Sequence, residues 1–216
     1  SPNAPPRAGI YMKNADGTGA EERLLADENH VHLGSWSSDG KWLLYSEIHP
    51  ETNEDLWVLN VPERKAQPFL RTPFNELQAS FSPDARWIAY TSDESGRAEV
   101  YVQSFQGPGG KWQISTDGGA QPLWSRDGRE IFYRDGDKVL AVAVQPPPAF
   151  AASKPRLLFE GRYVPGSNHT YYDASPDGRG FVFLRAVERE SAPIRQIHVA
   201  LNWFEELRRR APVGNK

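Results

Sequence analysis

Three of the five histidines, His30, His32 and His169, stand at matching points of a pattern that recurs along the chain. With Glu76 they form a His/His/Glu set. Imidazole nitrogens and carboxylate oxygens can bind a zinc-type cation or take and return a proton near neutral pH. Gln78, Gln121 and Tyr171 occur in the same short stretch of the repeat and would add hydrogen bonds. Ordinary solvated loop groups would produce the same list. Histidine ligation needs convergence in space, which spacing along the chain does not supply. The reading therefore assigns no metal, no cofactor and no catalytic residue. It takes His30, His32, Glu76, Gln78, Gln121, His169 and Tyr171 as a ligand- or partner-binding set. Nucleophile signatures are missing: the chain has no Cys and no Gly-x-Ser-x-Gly elbow.

The pattern that carries these residues is written four times. Its copies are Ser35–Tyr45, Ser80–Tyr90, Leu123–Tyr133 and Asp173–Phe183, each a strand, a tight turn and a second strand. Anchor serines Ser37, Ser82, Ser125 and Ser175 follow one another at intervals of 45, 43 and 50 residues. Strand-rich units of that period predict propeller blades. In a propeller the inner strands line a central channel, and the loops entering them ring one mouth. The seven candidate residues lie just ahead of, or at the start of, those inner strands. The expected fold is all-β, a β-propeller of four-stranded antiparallel blades, apparently partial at about four and a half blades, with a short C-terminal helix.

The boundaries read as follows. Residues 1–9 are a flexible leader and 10–27 a half blade of two strands. Blades occupy 28–73, 74–117 and 118–166, and 167–201 is a final blade of three strands. Residues 202–216 form a helix and tail. Asn202 is a candidate N-cap, acids lie in the first turn, arginines near the end, and Pro212 stops the helix. Uncovered blade faces favour self-association, so a homo-oligomer, most simply a two-fold dimer, is expected.

Two recurring residue types have structural explanations. The turn aspartates Asp39, Asp84, Asp127 and Asp177 could suggest calcium. One turn does not supply the six or more oxygens calcium needs, so they read as turn caps. Trp36, Phe81 and Trp124 occupy one repeat position and read as core between blades. Ala85 stands where the other copies have Gly.

Composition narrows the partners. A net charge of −3 gives no reason to expect nucleic acid. No apolar window is long enough to insert into a membrane. The absence of Cys leaves the compartment open.

The repeat Trp-Ser-x-Asp-Gly-(Lys/Arg), followed by a Leu-Trp-Val or Val-Tyr-Val strand, resembles the WD-like blades of the TolB-type propeller family. The ending Val199–Leu207 is similar to propeller sensor regions attached to bacterial serine/threonine kinases; no kinase motif is present. The resemblance implies a non-catalytic module that binds a protein or small ligand, as part of a larger periplasmic or extracellular protein. The rival reading is a hydrolase or lyase acting through His32, Glu76 and His169.

Overall fold

A computed structural model describes residues 9–26, 29–107, 109–145, 150–166 and 168–186. Its described strands all fall in one compact unit, residues 1–185; residues 186–216 group separately. The helix expected at 202–210 and the strand expected at 195–201 lie outside the described residues.

The chain forms successive antiparallel sheets. β1 (Gly9–Met12) pairs with β2 (Glu22–Ala26). β3 (His30–Trp36), β4 (Trp42–His49), β5 (Asn53–Asn60) and β6 (Lys65–Leu70) make a four-stranded sheet in chain order. β7 (Glu76–Phe81), β8 (Trp87–Ser92), β9 (Glu99–Ser104) and β10 (Lys111–Gln113) repeat it. A third sheet holds β11 (Ala120–Trp124), β12 (Glu130–Asp135) and β13 (Lys138–Gln145). Its outer position is shared. β14 (Ala151–Ala152) pairs with the end of β13, and β15 (Arg156–Glu160) with its beginning. The segment between Gln145 and Arg156 thus contributes a short strand. β16 (Tyr172–Ala174) pairs with β17 (Phe181–Phe183). Each sheet is built by local hairpins, as a β-propeller requires.

Apolar cores lie between neighbouring sheets. Leu44, Leu56 and Val58 of one meet Phe81, Ile88 and Tyr101 of the next. Ala89, Val100 and Val102 meet Trp124, Ile131 and Val142. Phe132 and Ala141 meet Tyr172, with Phe181 alongside. Ile10 and Leu24 of the opening hairpin cover Leu43 and Leu59. The aromatic repeat position divides here. Phe81 and Trp124 are 7% and 8% exposed, as expected for core, but Trp36 is 46% exposed.

All four repeat turns share one hydrogen-bond pattern. Serine Oγ donates to the aspartate two residues on, over 2.6 Å at Ser37, 2.6 Å at Ser82, 2.7 Å at Ser125 and 2.6 Å at Ser175. The same oxygen accepts the backbone N–H five residues on. The aspartate Oδ1 also accepts a backbone N–H across the turn. The serine bond, then the backbone bond, hold the carboxyls of Asp39, Asp127 and Asp177 below the ordinary carboxylate range. These aspartates cap their own turns. The left-handed position is filled by Gly40, Gly128 and Gly178, and in one copy by Ala85 at φ 54°. A side chain there costs on the order of 1 kcal/mol relative to glycine.

Candidate functional site

The inner strands β3, β7 and β11 are each interrupted by a bulge within the same short stretch of the repeat. The register shifts fall between Leu33 and Trp36, Leu77 and Ser80, and Ala120 and Leu123. In two copies the bulge holds a left-handed glutamine, Gln78 at φ 57° and Gln121 at φ 58°. These strained residues link neighbouring blades. Gln78 Oε1 accepts from the Gln121 N–H at 2.8 Å and from Thr91 Oγ1 at 2.9 Å. Gln121 Oε1 accepts from the Tyr171 N–H at 2.9 Å. Gln78, Gln121 and Tyr171 are the same repeat position in successive units. One glutamine therefore satisfies the backbone of its counterpart in the next blade. The Gln121 carbonyl also accepts from Tyr172 Oη at 2.8 Å. Burial pushes the Tyr172 phenol up, so it keeps the proton it donates.

This clasp frames two adjoining cavities. The first, about 460 Å³, is walled by β3, β7 and β11 residues together with Asn168, His169, Thr170, Tyr172 and Asp173. The second, about 640 Å³, is walled by Glu54, Asn75, Asp93 and others, and shares Gln78 and Asn168 with the first.

Three imidazoles gather at the first cavity. The His30 and His32 rings are 4.7 Å apart edge to face, and His32 and His169 are also 4.7 Å apart. Tyr171 lies 6.4 Å from His169. His32 Nδ1 donates to Glu54 Oε1 at 2.9 Å, and Ser46 Oγ donates to the same oxygen at 2.6 Å. A carboxylate can only accept, so this bond places a His32 proton on Nδ1; in the neutral imidazole Nε2 is then the acceptor nitrogen.

Of the seven residues singled out in the sequence, His32, Gln78 and His169 line cavity walls. His30 and Tyr171 adjoin them through their rings. Gln121 is buried behind the wall and holds the blades together. Glu76 lines neither cavity. It is 1% exposed, and it accepts from Thr72 Oγ1. The carboxylate at the imidazoles is Glu54 instead. Its only signal is strand register: Glu54 pairs with Ile48, which pairs with His30. An alignment of the loops ahead of the inner strands does not reach β5. Among the described residues, no three metal-ligating side chains converge as a metal site.

The chain is similar to several known proteins. An uncharacterized peptidase of Bacillus subtilis, YuxL, is 29% identical over 105 residues, 44% of this chain and 16% of its own length. Crystallised TolB from Acinetobacter baumannii superposes with a TM-score of 0.60 at 18% identity, over 84% of this chain and 44% of that one. A putative TolB from Agrobacterium tumefaciens gives 0.61 at 19% identity, over 83% of this chain and 67% of that one. The chain thus spans less than half the length of the first two. The TolB beta propeller domain family matches residues 4–192, and the chain belongs to that family.

Proposed function

We propose that this propeller is a non-catalytic binding module that takes a protein segment or small ligand at its channel mouth. The observation that carries the reading is the convergence of His32 and His169, from segments far apart in sequence, on one cavity wall. Cavities of this size suit small ligands or a few residues of an extended chain. Partial coverage of the TolB chains supports a place in a larger TolB-like protein; a kinase-linked sensor, in the periplasm or outside the cell, is the form that the resemblance of the sequence suggests.

Thermal-shift screening with peptides and small ligands tests the site. Hits are expected to be lost in the His32→Ala/His169→Ala double variant, with its fold intact by circular dichroism. Hits that persist unchanged would remove the mouth from the reading.

A second reading, a hydrolase or lyase, is favoured by the His32–Glu54 pair, because an oriented imidazole with Nε2 open is a general base. Turnover of an ester, lactone or peptide that disappears in His32→Ala would establish it over the binding role. The peptidase name of the Bacillus relative makes peptides the first substrates to try.

The module is further proposed to be a homo-oligomer, most simply a two-fold dimer. Trp36 is exposed where its repeat counterparts are core. Exposed apolar groups of this size mark contact surfaces. Light scattering on a sizing column is expected to give at least twice the 24.3 kDa chain mass. A single-chain mass would overturn the proposal.

A further inference from the structure

The two mouth cavities carry charge of one sign. Glu54 and Asp93 wall the second, and Asp173 walls the first. No lysine or arginine stands among the described residues lining either. Recessed charge of one sign focuses potential and selects ligands of the opposite sign. Two of the neutral groups are oriented by their partners. In its neutral form, with the Nδ1 proton directed to Glu54, the His32 ring presents Nε2 as an acceptor. The Gln78 amide nitrogen is turned to the His169 carbonyl. Asp93 accepts the Asn75 backbone and amide N–H groups, which holds its carboxylate in place at the wall. The remaining surface includes Leu33, Leu56, Leu77 and Leu123. An acidic recess with apolar walls suits a cation on a methylene stem, since lysine and arginine bury the stem and keep the head in polar surroundings.

Resting on the binding role proposed above, we infer that the mouth takes an ammonium or guanidinium group. Glu54 and Asp93 supply the counter-charge, and His32 Nε2 accepts a further N–H. The group belongs to a basic side chain of a peptide or to a free polyamine; the two share one chemistry.

The test follows the imidazole signals of His32 and His169 by NMR in the whole chain. The probes are 1,4-diaminobutane and two capped pentapeptides, glycine alternating with lysine in one and with glutamate in the other. The lysine peptide is expected to shift both signals, to bind several-fold more weakly when salt is raised, and to bind about tenfold more weakly to Asp93→Asn. Equal shifts by the diamine would identify a free amine as sufficient; shifts by the peptide alone would identify a peptide. Both support the inference. A glutamate peptide that binds as well or better overturns the cation preference and leaves the mouth as a binding site. If no probe moves either signal, the inference and the mouth reading fall together. Salt dependence and the charge-matched peptides are read on the unaltered chain, so a variant that fails to fold does not blunt the test.

Discussion

Glu76→Gln is expected to remove most of a fall in stability between about pH 4.5 and pH 7. Glu76 opens β7 and is buried at the junction of the first two four-stranded sheets. One oxygen accepts from Thr72, and the other has no hydrogen-bond partner among the described residues. Asp55, buried across the junction, likewise has one unpartnered oxygen. Burial raises the Glu76 carboxyl from its ordinary 4.5 to about 7; the Thr72 bond opposes the rise and the Asp55 charge adds to it. Lys111 and Glu94 exert smaller, opposed influences.

The sign follows from which state releases its proton first. Below pH 4.5 the carboxyl is protonated in folded and unfolded chains alike. As pH rises to 7 the unfolded chain ionises while the folded one holds its proton, so stability falls. Above 7 both are ionised and the loss is constant. The full loss is about 3 kcal/mol. Glutamine is nearly isosteric, keeps an acceptor for Thr72 and cannot ionise. Urea unfolding at pH 5 and pH 8 should show the unaltered chain losing about 2 kcal/mol more than Glu76→Gln over that interval. Parallel profiles would mean that the carboxyl finds solvent or a cation in the folded state.

Gln121→Ala is expected to cost about 2 kcal/mol and to disorder the mouth. The residue is buried, and its amide oxygen alone accepts the Tyr171 N–H. Alanine leaves that donor without its partner, which costs about 1–3 kcal/mol, and opens space beside Gly166. The left-handed backbone at this position gives alanine no compensating advantage over glutamine. The consequence for the site is larger than the energy suggests, because Tyr171 follows directly on His169 and Thr170. Chemical denaturation measures the cost. Loss of the contact between the His32 and His169 rings, by nuclear Overhauser effect, measures the displacement. A change within about 0.5 kcal/mol, the usual range for a surface substitution, would show that the clasp is incidental.

The turn motif was legible because it is local. Serine and aspartate at fixed offsets, with glycine in three copies and Ala85 in the other, close a turn through bonds within six residues, so four copies in the sequence became four copies of one geometry. Alternating apolar strands around those turns were enough to imply blades, and hence cores between sheets. Leu43, Ile88 and Ile131 occupy equivalent places in the repeat and are all buried. His32 and His169 could likewise be placed at one mouth, since the propeller rule brings the starts of inner strands around one axis.

Three features became visible only in three dimensions. Glu76 and Gln78 both open β7, yet Glu76 enters the junction between sheets while Gln78 reaches the channel. The bulge after Leu77 breaks the regular alternation that would have given both one face. Trp36 has the sequence environment of Phe81 and Trp124 but not their neighbour in space, so its exposure is a fact about the adjoining sheet. Glu54 reaches His32 through the pairing of three strands. The repeat by itself determined the fold and the axis around which the candidates gather. The tertiary structure decided which of them face the cavity, because burial and partnership depend on register and on the neighbouring blade, neither of which is written in the residue's own surroundings.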